Sequence, residues 1–140
     1  MFVIDKNSKV VADKITQVRP HQIFYKGSNF FEYLFSKNFV TGCTTLVRTK
    51  FAKSVLPFPD EYVHDWWLGI CAARNNKLEI VEESLIMYRI HGTNQTGILS
   101  GIVTKEDYYN KKIKMDMQRS LVLTEKFLKN NNVNQFKKYK

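Results

Sequence analysis

Apolar positions along this 140-residue chain come in short runs separated by polar punctuation. Phe2-Val3-Ile4 and Lys9-Val10-Val11 flank Asp5-Lys6-Asn7-Ser8. Asp and Asn side chains bond nearby backbone and tolerate left-handed dihedrals, so this segment predicts two short strands around a turn. Phe30, Phe31, Leu34 and Phe35 share one helical face, with Ser28 or Asn29 placed to cap it, and predict a short helix to Ser36. The β-branched content of Asn38 to Val47 reads as a buried strand interrupted at Gly42. Thr49 to Ser54 reads as a turn of helix, closed by Leu56-Pro57-Phe58-Pro59 because proline cannot continue one.

A helix is expected from about Asp65 to Arg74, ending at Asn75-Asn76, and then two strands, Lys77 to Glu82 and Leu85 to Ile90. Beyond a loop from Gly92 to Gly101, the residues Tyr109, Ile113, Met117, Leu121 and Leu128 recur at near four-residue spacing. They predict a long helix from Lys105 to about Lys129, followed by a polar basic tail from Asn130. The fold class is therefore α/β in the mixed α+β sense, with strands and helices interleaved around one core. The expected division is a body over residues 1–103 and a basic amphipathic helix with its tail over residues 104–140.

Composition sharpens this picture in three ways. An apolar fraction of 44% with 14% aromatics excludes a disordered chain. Cys43 and Cys71 are too few for a disulfide framework and form no C-x-x-C pair, so both are expected as reduced thiols of an intracellular protein. In that setting the Asn94-Gln95-Thr96 sequon carries no glycan. Charge is uneven: 12 Lys and Arg face 9 Asp and Glu up to Thr104, but 10 face 4 from Lys105 onward. A basic, striped tail suits an anionic membrane surface, or else lays its stripe on the body with its lysines solvated. Nucleic acid is a weaker alternative, since no helix-turn-helix, RRM or zinc pattern is present.

Three stretches carry residue types suited to chemistry. In His64-Asp65-Trp66-Trp67-Leu68, Asp65 sits at the mouth of a helix, where a carboxylate is either a plain N-cap or a proton acceptor. Trp66 and Trp67 lie about 100° apart on a helix, so one of them is free to line a cleft unless both pack inward. In Tyr88-Arg89-Ile90-His91-Gly92-Thr93-Asn94, Arg89 and His91 project from the same side of a strand end. A guanidinium and a neutral imidazole there suit phosphate and metal, or are simply a surface Arg and a loop His. In Thr41-Gly42-Cys43-Thr44, Gly42 allows close approach of a ligand or of another backbone. A Cys–His hydrolase built from Cys43, His64 or His91 and Asn94 fits residue types only, and Cys43 is better explained as buried in a strand.

Together, Thr41-Gly42-Cys43-Thr44, Leu56-Pro57-Phe58-Pro59, His64-Asp65-Trp66-Trp67-Leu68 and Tyr88-Arg89-Ile90-His91-Gly92-Thr93-Asn94 resemble, in order and spacing, the C-terminal half of bacterial family 2 glycosyltransferases. The match is best to the rhamnosyltransferase-like branch that builds cell-surface polysaccharides, and it covers Phe2 to about Gly97. The opening Val3 to Val10 also resembles the hairpin that follows the nucleotide-binding half in that family. The resemblance implies a GT-A fold and an inverting transfer from a nucleoside-diphosphate sugar to a glycan or lipid-linked acceptor, at the cytoplasmic face of the cell membrane. It implies Asp65 as general base. It places Arg89 and His91 near the donor diphosphate, with His91 also toward the metal, Gly42 and Cys43 beside the sugar cleft, and Trp66 on the acceptor side, and it counts His64 and Asn94 among the substrate-binding residues.

The departure from the family is that no Asp-x-Asp occurs in the 140 residues. Oxygen-rich coordination of Mg²⁺ or Mn²⁺ needs carboxylates that His91 cannot replace. The expectation is a divalent metal in the intact enzyme, none held stably by this chain, and a chain catalytically silent alone. Surface left uncovered in such a piece predicts a homodimer.

Overall fold

The computed structural model describes residues 1–19, 29–91 and 104–128. The chain divides into two compact units, Met1–Leu56 with His64–Ile98, and Pro57–Val63 with Leu99–Lys140. The class is mixed α+β, with a small three-stranded sheet and several helices.

In the first unit, β1 (Phe2–Ile4) and β2 (Val10–Ala12) form the expected antiparallel hairpin. Asp5 builds the turn between them: its Oδ1 accepts the N–H groups of Asn7 (2.8 Å) and Lys9 (2.9 Å). Ser8 adopts a left-handed φ of 67° there, an uncommon conformation for a residue with a Cβ. The third strand, β3 (Met87–Arg89), pairs parallel to β1, giving the order β2-β1-β3. Central β1 is flanked on both edges, and Val3 and Ile4 are buried. The strand expected over 77–82 does not form, and only Met87–Arg89 of the second expected strand is in the sheet. A strand needs a partner to take its backbone hydrogen bonds, whatever its local pattern.

Helix α1 (Ile15–Val18) was not expected from the sequence. Its start is satisfied by Gln17, whose Oε1 accepts the Asp13 and Lys14 amides (2.9 and 3.0 Å), and Ile15 is buried. Helices α2 (Phe30–Ser36) and α3 (Thr49–Ser54) match the expected spans. Asn29 stands at the N-cap of α2 but makes no side-chain cap bond to its backbone. The segment between the two helices is not the expected strand: Gly42–Thr44 is a single 3₁₀ turn. Thr44 and Thr45 each turn a hydroxyl back onto the Thr41 carbonyl (3.0 and 2.9 Å), a local bond that competes with a sheet ladder.

Helix α4 (His64–Arg74) is the core of the unit, with every residue from Trp66 to Cys71 buried, and Ala73 as well. A helix apolar on all sides must be enclosed on all sides. Here α2 covers one flank, where Trp66 Nε1 donates to the Leu34 carbonyl (2.7 Å). The end of α3 covers another, where Trp67 Nε1 donates to the Val55 carbonyl (3.2 Å). The helix stops where expected. Asn76 enters the left-handed region (φ 51°), its N–H bonds the Ala73 carbonyl (3.0 Å), and the Lys77 N–H bonds that of Ala72 (2.9 Å). This is the Schellman arrangement that satisfies the last carbonyls of a helix.

In the second unit the described residues are helical from Lys105 to Leu128. They run as α5 (Lys105–Asp107), a π-helical stretch (Tyr108–Ile113), α6 (Lys114–Leu123) and a second π-helical stretch (Thr124–Leu128). Thr104 and Asp107 close a reciprocal capping box at its start (3.0 and 3.1 Å). The segment Pro57–Val63 is tied to this helix. Arg119 Nε donates to the Glu61 carbonyl (2.7 Å), and the Tyr62 hydroxyl donates to the Arg119 carbonyl (3.2 Å). The Arg119 guanidinium lies 5.9 Å from the Tyr62 ring centroid. The predicted stripe does not pack inward: Tyr109, Ile113, Met117 and Leu121 are exposed, while Leu123 and Phe127 are buried. The Ser28 cap, the loop from Gly92 to Gly101, the side chain of Leu128 and the tail from Asn130 lie outside the described residues.

Candidate active site

Asp65 is the second residue of α4 and not a bare cap before it. Its half-buried carboxylate joins the helix start to a distant loop. Oδ2 accepts the Gly42 N–H (2.8 Å) from 23 positions upstream, and Oδ1 accepts the Trp66 N–H (2.6 Å). A carboxylate in the first turn also meets the positive end of the helix dipole. Gly42 is required by this closeness. A Cβ at that position would lie 2.9 Å from His64 Nε2 and 3.7 Å from Asp65 Oδ2. The 3₁₀ turn at Gly42–Thr44 sets a backbone N–H against a carboxylate, with the imidazole of His64 close by. Three of the residues singled out from sequence, Gly42, His64 and Asp65, therefore form one cluster.

The others are placed differently. Cys43 is exposed, not buried in a strand, because the segment turns there instead of extending; Cys71 is buried, and both are free thiols. Trp66 is buried and its indole N–H is bonded to the Leu34 carbonyl, so its ring belongs to the core. Arg89 leaves the strand end and grips the hairpin turn. Nη1 donates to the carbonyls of Asp5 (2.7 Å) and Lys6 (3.1 Å), and Nη2 to Ser8 Oγ (3.0 Å). A planar fork with several donors suits such a multi-carbonyl grip. His91 is exposed, and Asn94 lies outside the described residues.

Among the described residues no three His, Cys, Asp or Glu side chains converge to hold a metal ion. No step below runs through a metal ion. The second unit carries an open cleft of about 470 Å³ lined by Tyr62, Val63, Met115 and Gln118 among others, and none of the sequence-selected residues borders it. Among the described residues, no helix is long and apolar enough to cross a membrane.

Two partnerships escaped the sequence: Gly42 as the donor to Asp65, and Ser8 as a partner of Arg89. The first had a signal in the glycine itself. The second had none, since 81 positions separate the pair.

No protein-family model, curated protein or solved structure matches this chain. The fold and site define a mixed α+β protein whose helix-start carboxylate is pinned by a remote backbone amide.

Proposed function

We propose that this chain is the acceptor-side portion of an inverting GT-A glycosyltransferase, with Asp65 as general base. The observation that supports the reading most is the way Asp65 is held. Each of its carboxylate oxygens accepts one backbone N–H, Oδ2 from Gly42 (2.8 Å) and Oδ1 from Trp66 (2.6 Å). An ionised carboxylate offers about four lone-pair sites, so two remain for an incoming hydroxyl. The group is half-buried, fixed in direction and still reachable.

In the proposed reaction, the acceptor hydroxyl donates its proton to Asp65 as its oxygen bonds to the anomeric carbon. The bond from that carbon to the diphosphate oxygen breaks on the opposite face, and the nucleoside diphosphate departs with the electron pair. His64 lies beside the path, within reach of an acceptor hydroxyl. Gly42 keeps the approach open. Arg89 enters as the residue that fixes the hairpin, because a diphosphate would have to displace three bonds to recruit it. The nucleotide-sugar site belongs to residues other than these, and a nucleoside-diphosphate sugar and a glycan acceptor are the partners of the whole enzyme.

The test is a titration of the ¹⁵N-labelled full chain with a panel of methyl glycosides, methyl rhamnoside among them. Saturable shifts of the Gly42 and Trp66 amides are expected, and Asp65→Ala should lose them. A panel that leaves both resolved amides unmoved refutes an acceptor site here.

A further inference from the structure

We propose that the helix over residues 104–128 rests on an anionic lipid surface through the ridge Tyr109, Ile113, Met117 and Leu121. These side chains are 61%, 37%, 61% and 64% exposed. The ridge runs about 18 Å along the axis at 1.5 Å per residue. Four-residue steps on an α-helix drift by about 40° each. The wider π-helical turn at Tyr108–Ile113 returns part of that drift, so the four residues stay close to one face.

Charge selects the partner. Asp107 is paired with Lys111 (3.0 Å), and Asp116 with Lys112 and with Arg119 (3.4 Å), so these acids are already matched by cations of the same helix. Among the described residues Lys105, Lys114 and Lys126 make no ion pair. From Lys105 onward the chain carries 10 Lys and Arg against 4 Asp and Glu. An apolar ridge on a helix that also carries unmatched lysines fits a surface that is apolar inside and negative at its face, as an acidic bilayer is. Nucleic acid would use the lysines but has no use for an exposed Met117 and Leu121. The helix is not apolar enough to cross, so it lies in the interface plane.

The experiment is co-sedimentation of the full chain with vesicles of mixed phosphatidylglycerol and phosphatidylcholine, and with phosphatidylcholine alone. The chain should pellet with the mixed vesicles at low salt and stay in solution with the neutral ones. Met117→Ser with Leu121→Ser should lower partitioning about a hundredfold, roughly tenfold per buried side chain. Lys114→Ala should lower it about fivefold. Both substitutions fall on exposed positions, and an unchanged far-ultraviolet circular dichroism spectrum confirms an intact fold. Asp65→Asn should bind vesicles like the parent, which keeps this inference separate from the transferase reading. Equal pelleting of the parent and the double serine variant overturns the proposal. So does nucleic-acid binding that the double variant retains, with no vesicle binding by either protein.

Discussion

Replacing Asp65 by Ala removes the side chain that bonds the Gly42 amide across 23 positions. A hydrogen bond to a charged group contributes about 1.5–3 kcal/mol, and a half-buried amide left without its partner recovers some of that from water. A net loss of about 2 kcal/mol at the loop-to-helix junction follows, and at 1.4 kcal/mol per decade it becomes about thirtyfold faster hydrogen exchange at Gly42. Asp65→Asn retains one acceptor oxygen and can hold either the Gly42 or the Trp66 amide but not both. Its exchange should fall between parent and alanine variant. Because Asn cannot take a proton from an acceptor, it should lose transfer in an intact enzyme while keeping most of the geometry. The assay is residue-resolved amide exchange by nuclear magnetic resonance on the full chain. Gly42 exchange unchanged in Asp65→Ala would falsify the view that the carboxylate positions this loop. The cluster would then be a coincidence of neighbours.

Two other outcomes test the surrounding structure. Burial pushes the Tyr62 phenol up to about 12, with nearby Asp116 and Glu61 adding to the shift and Arg119 opposing it. The folded chain keeps that proton between pH 10 and 12 while the unfolded chain releases it. The stability concerned is thus complete below pH 10 and disappears as pH rises through 12, about 2–3 kcal/mol in all. Tyr62→Phe should remove this alkaline dependence in unfolding curves and delete the corresponding step at 295 nm, and an identical slope in the variant contradicts it. In α4, a Cβ on Gly69 would lie 2.7 Å from Val40 Cγ2, too close for the branched side chain to absorb. Gly69→Ala should destabilise by about 1 kcal/mol net, overpacking outweighing the gain in helix propensity. Adding Val40→Ala should relieve the clash, and strict additivity in denaturant unfolding counts against this packing.

Much of the local structure was legible because its causes lie within a few residues. Asp5 and its turn, the aromatic face of Phe30–Ser36, the prolines after Ser54 and the Asn75-Asn76 stop each act through neighbours, so pattern and propensity suffice. The helix of residues 104–128 was legible in its extent, though not in which face it buries. Where the local signal was ambiguous the reading failed. The threonines of 41–45 folded back on themselves, and the segment 77–82 formed no strand.

The candidate site divides in the same way. Sequence alone put an acid at the start of a tryptophan-bearing helix and a glycine in a threonine-rich segment, since both are matters of residue type and order. That the Gly42 amide bonds Asp65, that Arg89 grips the hairpin turn, and that both tryptophans are enclosed were decided by tertiary structure. Each of those contacts joins residues 12 to 84 positions apart. Such contacts form only after the backbone of every intervening element has chosen where its own hydrogen bonds go.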